Sequence, residues 1–314
     1  MSGSSVETTA GMVHEGVLHE GPEHLAAQLR EPLAGAVSDG ERVVAVMDDL
    51  TREAVSAALG TASEQVEFLD PVEVHRVPAF TVASRWGRLT RNAGRPGART
   101  TVVAQHFADV AGLGPEHWIR LDAALNVVLE GLPITMLCPC PQDPETLSIV
   151  RATHPTLRID GQRVPNDQVR DPIEIVAEYP PPPPPELGPP TARLEFRLAD
   201  LHALRRLVAA VAARAGLGQE RAADIVLAVN EIATNSVEHG PGLGVLRLWA
   251  DGTGMVAEVH DTGRTTIPFP GMVAPPASGE RGRGLWLASE LTDVLQVWSD
   301  ERSGTVTRLR MDLG

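Results

Sequence analysis

Lysine is absent from this 314-residue chain, so its 27 Lys/Arg positions are all arginine. That removes a P-loop lysine, the strand lysine of protein kinases and any Schiff-base lysine, leaving backbone amides, a divalent metal and arginine as the means of holding phosphate. Cysteine is nearly absent as well: Cys138 and Cys140, in LCPCP, are the whole complement. A disulfide framework is excluded and a reducing compartment fits. Two thiolates make at most half a zinc site, and with His154 the sole nearby ligand candidate, both cysteines read as reduced structural thiols. No apolar run approaches the length needed to span a bilayer, and the N-terminal MSGSSVETTAGM lacks a charged segment followed by an apolar one. The expectation is a cytoplasmic chain without a membrane segment. A net charge of −14 argues against direct binding to nucleic acid or an anionic membrane, since both need clustered cations.

What is present is globular. The chain is 43% hydrophobic and 22% charged, and its length suits two domains. Residues 1–11 read as a flexible N-terminus and 12–176 as a first domain. The stretch 177–190, AEYPPPPPPELGPP, reads as a semi-rigid polyproline spacer, and 191–314 as a second domain. In the first domain ERVVAVMD, VEFLD, RTTVVAQ and PITMLC have the short, Val-rich character of strands buried on both faces. They alternate with segments that open near Pro, Asp or Thr and several of which close at Gly, as helices do. The expected fold there is a parallel α/β sheet with helices on its faces. No Gly-rich phosphate loop follows any of these strands.

The second domain reads strand, helix, helix, strand, strand, long loop, helix, strand, strand, a two-layer α/β sandwich with its helices on one face. Its central segment is DIVLAVNEIATNSVEH, residues 224–239. At 100° per residue, Ile225, Val229, Ile232 and Ser236 share one face, while Glu231, Asn235 and His239 line an adjacent one at i, i+4 steps. Two further clusters lie on connections that such a layer would bring to the same pocket. Asp261-Thr262-Gly263 follows a strand; the carboxylate can accept from an exocyclic amine, and the glycine lets a flat ring approach. The stretch from Gly279 through Arg281, Gly282, Arg283 and Gly284 to Leu285 opens a helix and offers amides at the positive end of its dipole. Asn235 supplies a neutral oxygen of the kind Mg²⁺ accepts. His202, on the preceding amphipathic helix, reads as solvent-facing rather than as a phosphoacceptor.

These three clusters, in order, resemble the GHKL ATPase superfamily. The forms NEIATNSVEHG and GRGLWLASELTD, with proline where a His-bearing hairpin would precede a complete histidine kinase, resemble the anti-sigma-factor serine kinases within it. The resemblance implies Glu231 as general base or water orienter, Asn235 as Mg²⁺ ligand, Asp261 and Gly263 as the adenine contact, and Gly282 and Gly284 as lid glycines. Gly279, Arg281 and Leu285 complete the candidate nucleotide-binding set, with Arg281, Arg283 and His239 placed beside it by inference from the sequence. ATP and Mg²⁺ are the implied cofactors, and a sigma factor with a STAS-type antagonist the implied partners; a homodimer is left open.

The first domain resembles the MEDS sensory domain, a divergent RecA/KaiC-like module. The match runs through HEGVLHEGPEHLAAQLREPLAGAVSDGERVVAVM, SRWGRLTRNAG and LCPCPQDPETLSIVRATHPTL. Gln105 stands where that family more often has an acidic residue, and Cys140 where an aromatic commonly follows. The resemblance implies a small-ligand sensor, with His14, His154 and Trp86 the residues to examine. The expected protein is an ATP-dependent Ser/Thr kinase that controls transcription by partner switching. The alternative is an ATP-gated binding switch without phosphoryl transfer.

Overall fold

The computed structural model describes residues 11–93, 98–105, 110–275 and 283–314. The chain divides after Tyr179 into two units, and each is described by itself. Most of the N-terminal segment 1–11 lies outside the described residues.

The first unit is built on seven strands: β1 (Val13–His19), β2 (Arg42–Val46), β3 (Val66–Leu69), β4 (Thr100–Ala104), β5 (Ile134–Pro141), β6 (Thr156–Ile159) and β7 (Gln162–Pro165). Their order is β3-β2-β4-β5-β1-β6-β7, parallel throughout except for the β6–β7 hairpin at the edge. The helices are α1 (Pro22–Ser38), α2 (Asp49–Leu59), α3 (Pro71–His75), α4 (Ala79–Arg91), α5 (Pro115–Val128), α6 (Pro144–Thr153) and α7 (Pro172–Glu178). Four of them start on an aspartate whose carboxylate accepts a first-turn N–H: Asp48, Asp70, Asp143 and Asp171. Val17, Val43, Ala45, Val103 and Leu137 of the sheet pack with Leu25, Leu29 and Leu33 of α1 in one core cluster.

The β6–β7 hairpin and the short helices α3 and α7 go beyond the expected elements, and two further departures concern the middle of the sheet. Residues 13–19 were not among the expected strands, yet β1 lies inside the sheet between β5 and β6. Its VHEGVLH is polar because its charge is paired internally: Glu15 is fully buried, and Arg158 and Arg163 each donate to its carboxylate at 2.6 Å. The strand expected to end at Cys138 instead continues through Pro139, Cys140 and Pro141, held by parallel pairing with β1 from Val13↔Thr135 to His19↔Pro141. Both thiols therefore lie within the strand and are buried.

The second unit has the order β11-β12-β10-β9-β8, entirely antiparallel. It comprises β8 (Ala192–Phe196), α8 (Leu201–Ala215), α9 (Gln219–Glu238), β9 (Gly244–Asp251), β10 (Gly254–Asp261), α10 (Arg283–Leu291), β11 (Val294–Asp300) and β12 (Gly304–Asp312). Alternate strand residues Leu246, Leu248, Met255, Ala257, Val259, Leu309 and Met311 form the core with Leu204, Val208 and Val211 of α8 and Ile225, Val229 and Ile232 of α9. His202 is exposed on α8. Parallel α/β sheet and two-layer sandwich are thus both observed as expected.

The opposite face of this second sheet carries a row of paired charges. Glu258 lies across from Arg247 on one side and Arg308 on the other, and accepts from both at 2.9 and 2.5 Å. The proline segment read as a spacer lies against this sheet. The carbonyls of Pro182, Pro185 and Gly188 accept from Gln296 of β11, Arg308 of β12 and Trp249 of β9 at 3.4, 2.6 and 3.1 Å. A three-residue spacing is one turn of a polyproline helix, so these carbonyls recur on one side of the segment. Only 6% of Glu258 is exposed. Glu258→Ala would strand two guanidinium groups under this strap and should lower the stability of the second unit by about 2–3 kcal/mol, read as a urea midpoint shift at unchanged m.

Candidate functional site

The site of the second unit is organised on α9. Its buried residues are Ile225, Ala228, Val229, Ile232, Ala233 and Ser236, a helical stripe that fixes the rotation of the helix against the sheet. Glu231 and Asn235 then project from the flank of that stripe, each half-buried. His239 caps the C-terminus of the helix and is exposed.

Two elements close on this flank. The first turn of α10 approaches so closely that a β-carbon on Gly284 would lie 3.2 Å from Asn235 Nδ2 and 3.2 Å from Glu231 Oε2. Its backbone therefore faces both side chains, at the end of a helix where N–H groups lack intrahelical acceptors. Leu285 is partly buried against the core, so its side chain anchors α10 and its contribution to a ligand would come through the backbone. Gly279, Arg281 and Gly282 lie outside the described residues.

At the other end, β10 terminates in Asp261. Its Oδ2 accepts from the Ser236 hydroxyl at 2.6 Å and its Oδ1 from the Gly263 N–H at 2.7 Å. Thr305 of β12 donates to the Gly263 carbonyl at 2.9 Å. A β-carbon on Gly263 would lie 2.8 Å from Asp261 Oδ1 and 3.2 Å from Pro241 Cδ, so only glycine allows this approach. Each carboxylate oxygen keeps further acceptor capacity for an exocyclic amine. The donor set fits a nucleotide: an acceptor with a flat approach at one end of α9, and an amide, a carboxylate and helix-start N–H groups toward its middle.

Helical spacing alone places Ser236 on the core face. It is the polar residue in the buried set of α9, and that polarity was the available signal of its tie to Asp261.

In the first unit, Trp86 is buried in α4 and belongs to the core. His14 and His154, far apart in sequence, are both buried with ring centroids 4.1 Å apart. Burial, and after it the Asp122 charge, pushes the Cys138 thiol well above its ordinary range. Cys140 Sγ lies 3.0 Å from the Cys138 carbonyl. Gln105 donates to Asp48 Oδ2 at 3.1 Å, bridging β4 to the cap of α2. Asp122 and Asn126 of α5, not singled out in the sequence reading, adjoin this group; a carboxylate and an amide four residues apart in the otherwise apolar second half of that helix are the signal.

Residues 194–311 match the family described as the histidine kinase-like ATPase domain, and residues 13–155 match MEDS, the methanogen/methylotroph DcmR sensory domain. The chain therefore joins an N-terminal MEDS domain to a C-terminal histidine kinase-like ATPase domain. No curated protein matches. Among solved structures, the crystal structure of the RsbU and RsbW domains of a Mycobacterium tuberculosis protein is 24% identical, with a TM-score of 0.28. That alignment spans 40% of this chain and 33% of the other. Among the described residues, no helix is long and apolar enough to cross a membrane.

Ser236→Ala removes one charge-assisted hydrogen bond from the Asp261 carboxylate. The expected result is a loss of about 1–2 kcal/mol in stability and a roughly tenfold weaker Kd for ATP by isothermal titration calorimetry.

Proposed function

We propose that this protein is an ATP- and Mg²⁺-dependent switch kinase. It phosphorylates a serine or threonine of an antagonist protein and, in its other state, holds a sigma factor, with the MEDS domain as its sensory input. The observation that carries this reading is the meeting of Glu231 and Asn235 with the start of α10 at Gly284, on the same helix whose Ser236 binds Asp261. The match of residues 194–311 to the histidine kinase-like ATPase domain supports ATP as the ligand.

In this reading Asp261 orients the adenine amine and Gly263 gives the ring room. The N–H groups at the start of α10 face the phosphates and stabilise the charge that spreads over the transferring group. Asn235 would hold Mg²⁺, which supplies positive charge to the phosphate oxygens. Glu231 takes the hydroxyl proton of the acceptor at its carboxylate. Gly279, Arg281 and Gly282 belong to the proposed nucleotide-binding set with Gly284 and Leu285.

Incubation with labelled ATP and candidate antagonists tests the claim. Glu231→Gln should lower transfer by about 10²–10⁴-fold while leaving ATP affinity within a few-fold of the parent. Asn235→Ala should lose Mg²⁺-dependent ATP binding. If no partner is labelled although ATP affinity is intact, or if Glu231→Gln controls partner binding as the parent does, the protein is an ATP-gated binding switch and phosphoryl transfer is rejected.

A further inference from the structure

The first unit contains a group of side chains for which the ATPase site has no use. His14 of β1, Asp122 of α5, Cys138 of β5 and His154 at the end of α6 are all buried, and each presents one ligand atom within 4.8 Å of the others. His14 Nε2 lies 3.5 Å from Cys138 Sγ and 3.9 Å from Asp122 Oδ1, and His154 Nε2 lies 4.0 Å from that same oxygen. The two nitrogen–carboxylate separations exceed a hydrogen bond. Bonds of the length zinc makes to N, O and S put tetrahedral ligands about 3.3–3.8 Å apart, so the His14–Cys138 separation is that of a coordination edge and the two to Asp122 lie a few tenths of an ångström beyond one.

The surroundings set each imidazole in the form a metal needs. Asn126 donates its amide N–H to the Thr153 carbonyl at 2.6 Å, which turns its Oδ1 toward His14 Nδ1 at 2.8 Å. His14 must therefore carry its proton on Nδ1, leaving the Nε2 lone pair directed inward. His154 Nδ1 lies 3.2 Å from the Val150 carbonyl and 2.9 Å from the Thr153 hydroxyl, which can give its own proton to the Ile149 carbonyl at 2.8 Å; facing these acceptors, Nδ1 carries the proton and Nε2 is offered. A second group that fixes the tautomer of a ligand imidazole is the usual support of a metal site. The thiol chosen is Cys138 alone, since Cys140 Sγ sits on the Cys138 carbonyl. Gly16 completes the arrangement: a β-carbon there would meet Val150 Cγ1 at 2.7 Å and His154 Cγ at 3.5 Å, so glycine is what lets the end of α6 reach β1.

We propose that His14, Asp122, Cys138 and His154 bind one divalent transition-metal ion, zinc by ligand type and number. Two nitrogens, one sulfur and one oxygen are too few and too soft for Mg²⁺ or Ca²⁺ and suit a borderline cation. Four protein ligands make a closed shell, the pattern of a structural ion. It would join β1, β5, α5 and α6 at the point where the unit buries an aspartate.

The test uses the full-length chain, unfolded with chelator and refolded with Zn²⁺ or Co²⁺. One equivalent of metal should remain after gel filtration. The cobalt form should show the intense visible absorption of tetrahedral coordination and a thiolate-to-metal band. Cys138→Ser should abolish that band and Cys140→Ser should preserve it. Asn126→Ala should weaken affinity by about 10–100-fold. X-ray absorption on the wild-type zinc form, which needs no variant, should find one sulfur among nitrogen and oxygen ligands. Folded protein that retains no metal, a thiolate band that survives Cys138→Ser, or a coordination sphere with no sulfur or two would each overturn the assignment.

Discussion

The seating of α9 on the β9–β10–β12 face is the interaction on which the second unit depends. Ile225, Val229 and Ile232 are nearly or wholly removed from water there, and burying such side chains contributes about 1.5–3 kcal/mol each. The Ser236–Asp261 hydrogen bond adds about 1–2 kcal/mol. Packing therefore sets the angle at which Glu231 and Asn235 leave the helix, and the hydrogen bond fixes where the end of β10 meets it. A site made this way is stiff because its supporting residues are core residues.

The two units bury a strand carboxylate in the same way, and this explains two polar strands. Glu15 in β1 and Glu258 in β10 are both buried and both bridged by two arginines. A carboxylate paired twice by guanidinium has its charge and its lone pairs satisfied, so a charged residue can occupy the interior of a sheet. Asp122 lies 3.4 Å from the Thr153 hydroxyl and has two imidazoles and a thiol grouped about it. Imidazole, thiolate and carboxylate are the ligands a borderline cation takes, so that group points to a cation, whereas Glu15 and Glu258 sit in ion pairs with arginine.

The proline segment illustrates how composition and contacts differ as sources of inference. Consecutive prolines cannot enter a ladder as donors, but each keeps its carbonyl. Gln296, Arg308 and Trp249 use three of the carbonyls in this stretch, at positions 182, 185 and 188. The extended segment is thereby an accessory layer on the outer face of the ATPase sheet.

By itself, the sequence determined the alternation of strand and helix, the amphipathic stripe of α9, and the three ordered clusters around Glu231, Asp261 and Gly284, because these are local periodicities and short motifs. The match to two domain families could be read from the same local features. It did not reveal β1 as an internal strand, since VHEGVLH takes its stability from Arg158 and Arg163, more than 140 residues away. Nor did it separate Ser236 from the core. Only tertiary structure decided that His14, Asp122, Cys138 and His154 meet, for their proximity is created by parallel strand pairing and by a helix end brought against Gly16. Sequence spacing carries no record of contacts that a crossover makes between distant strands.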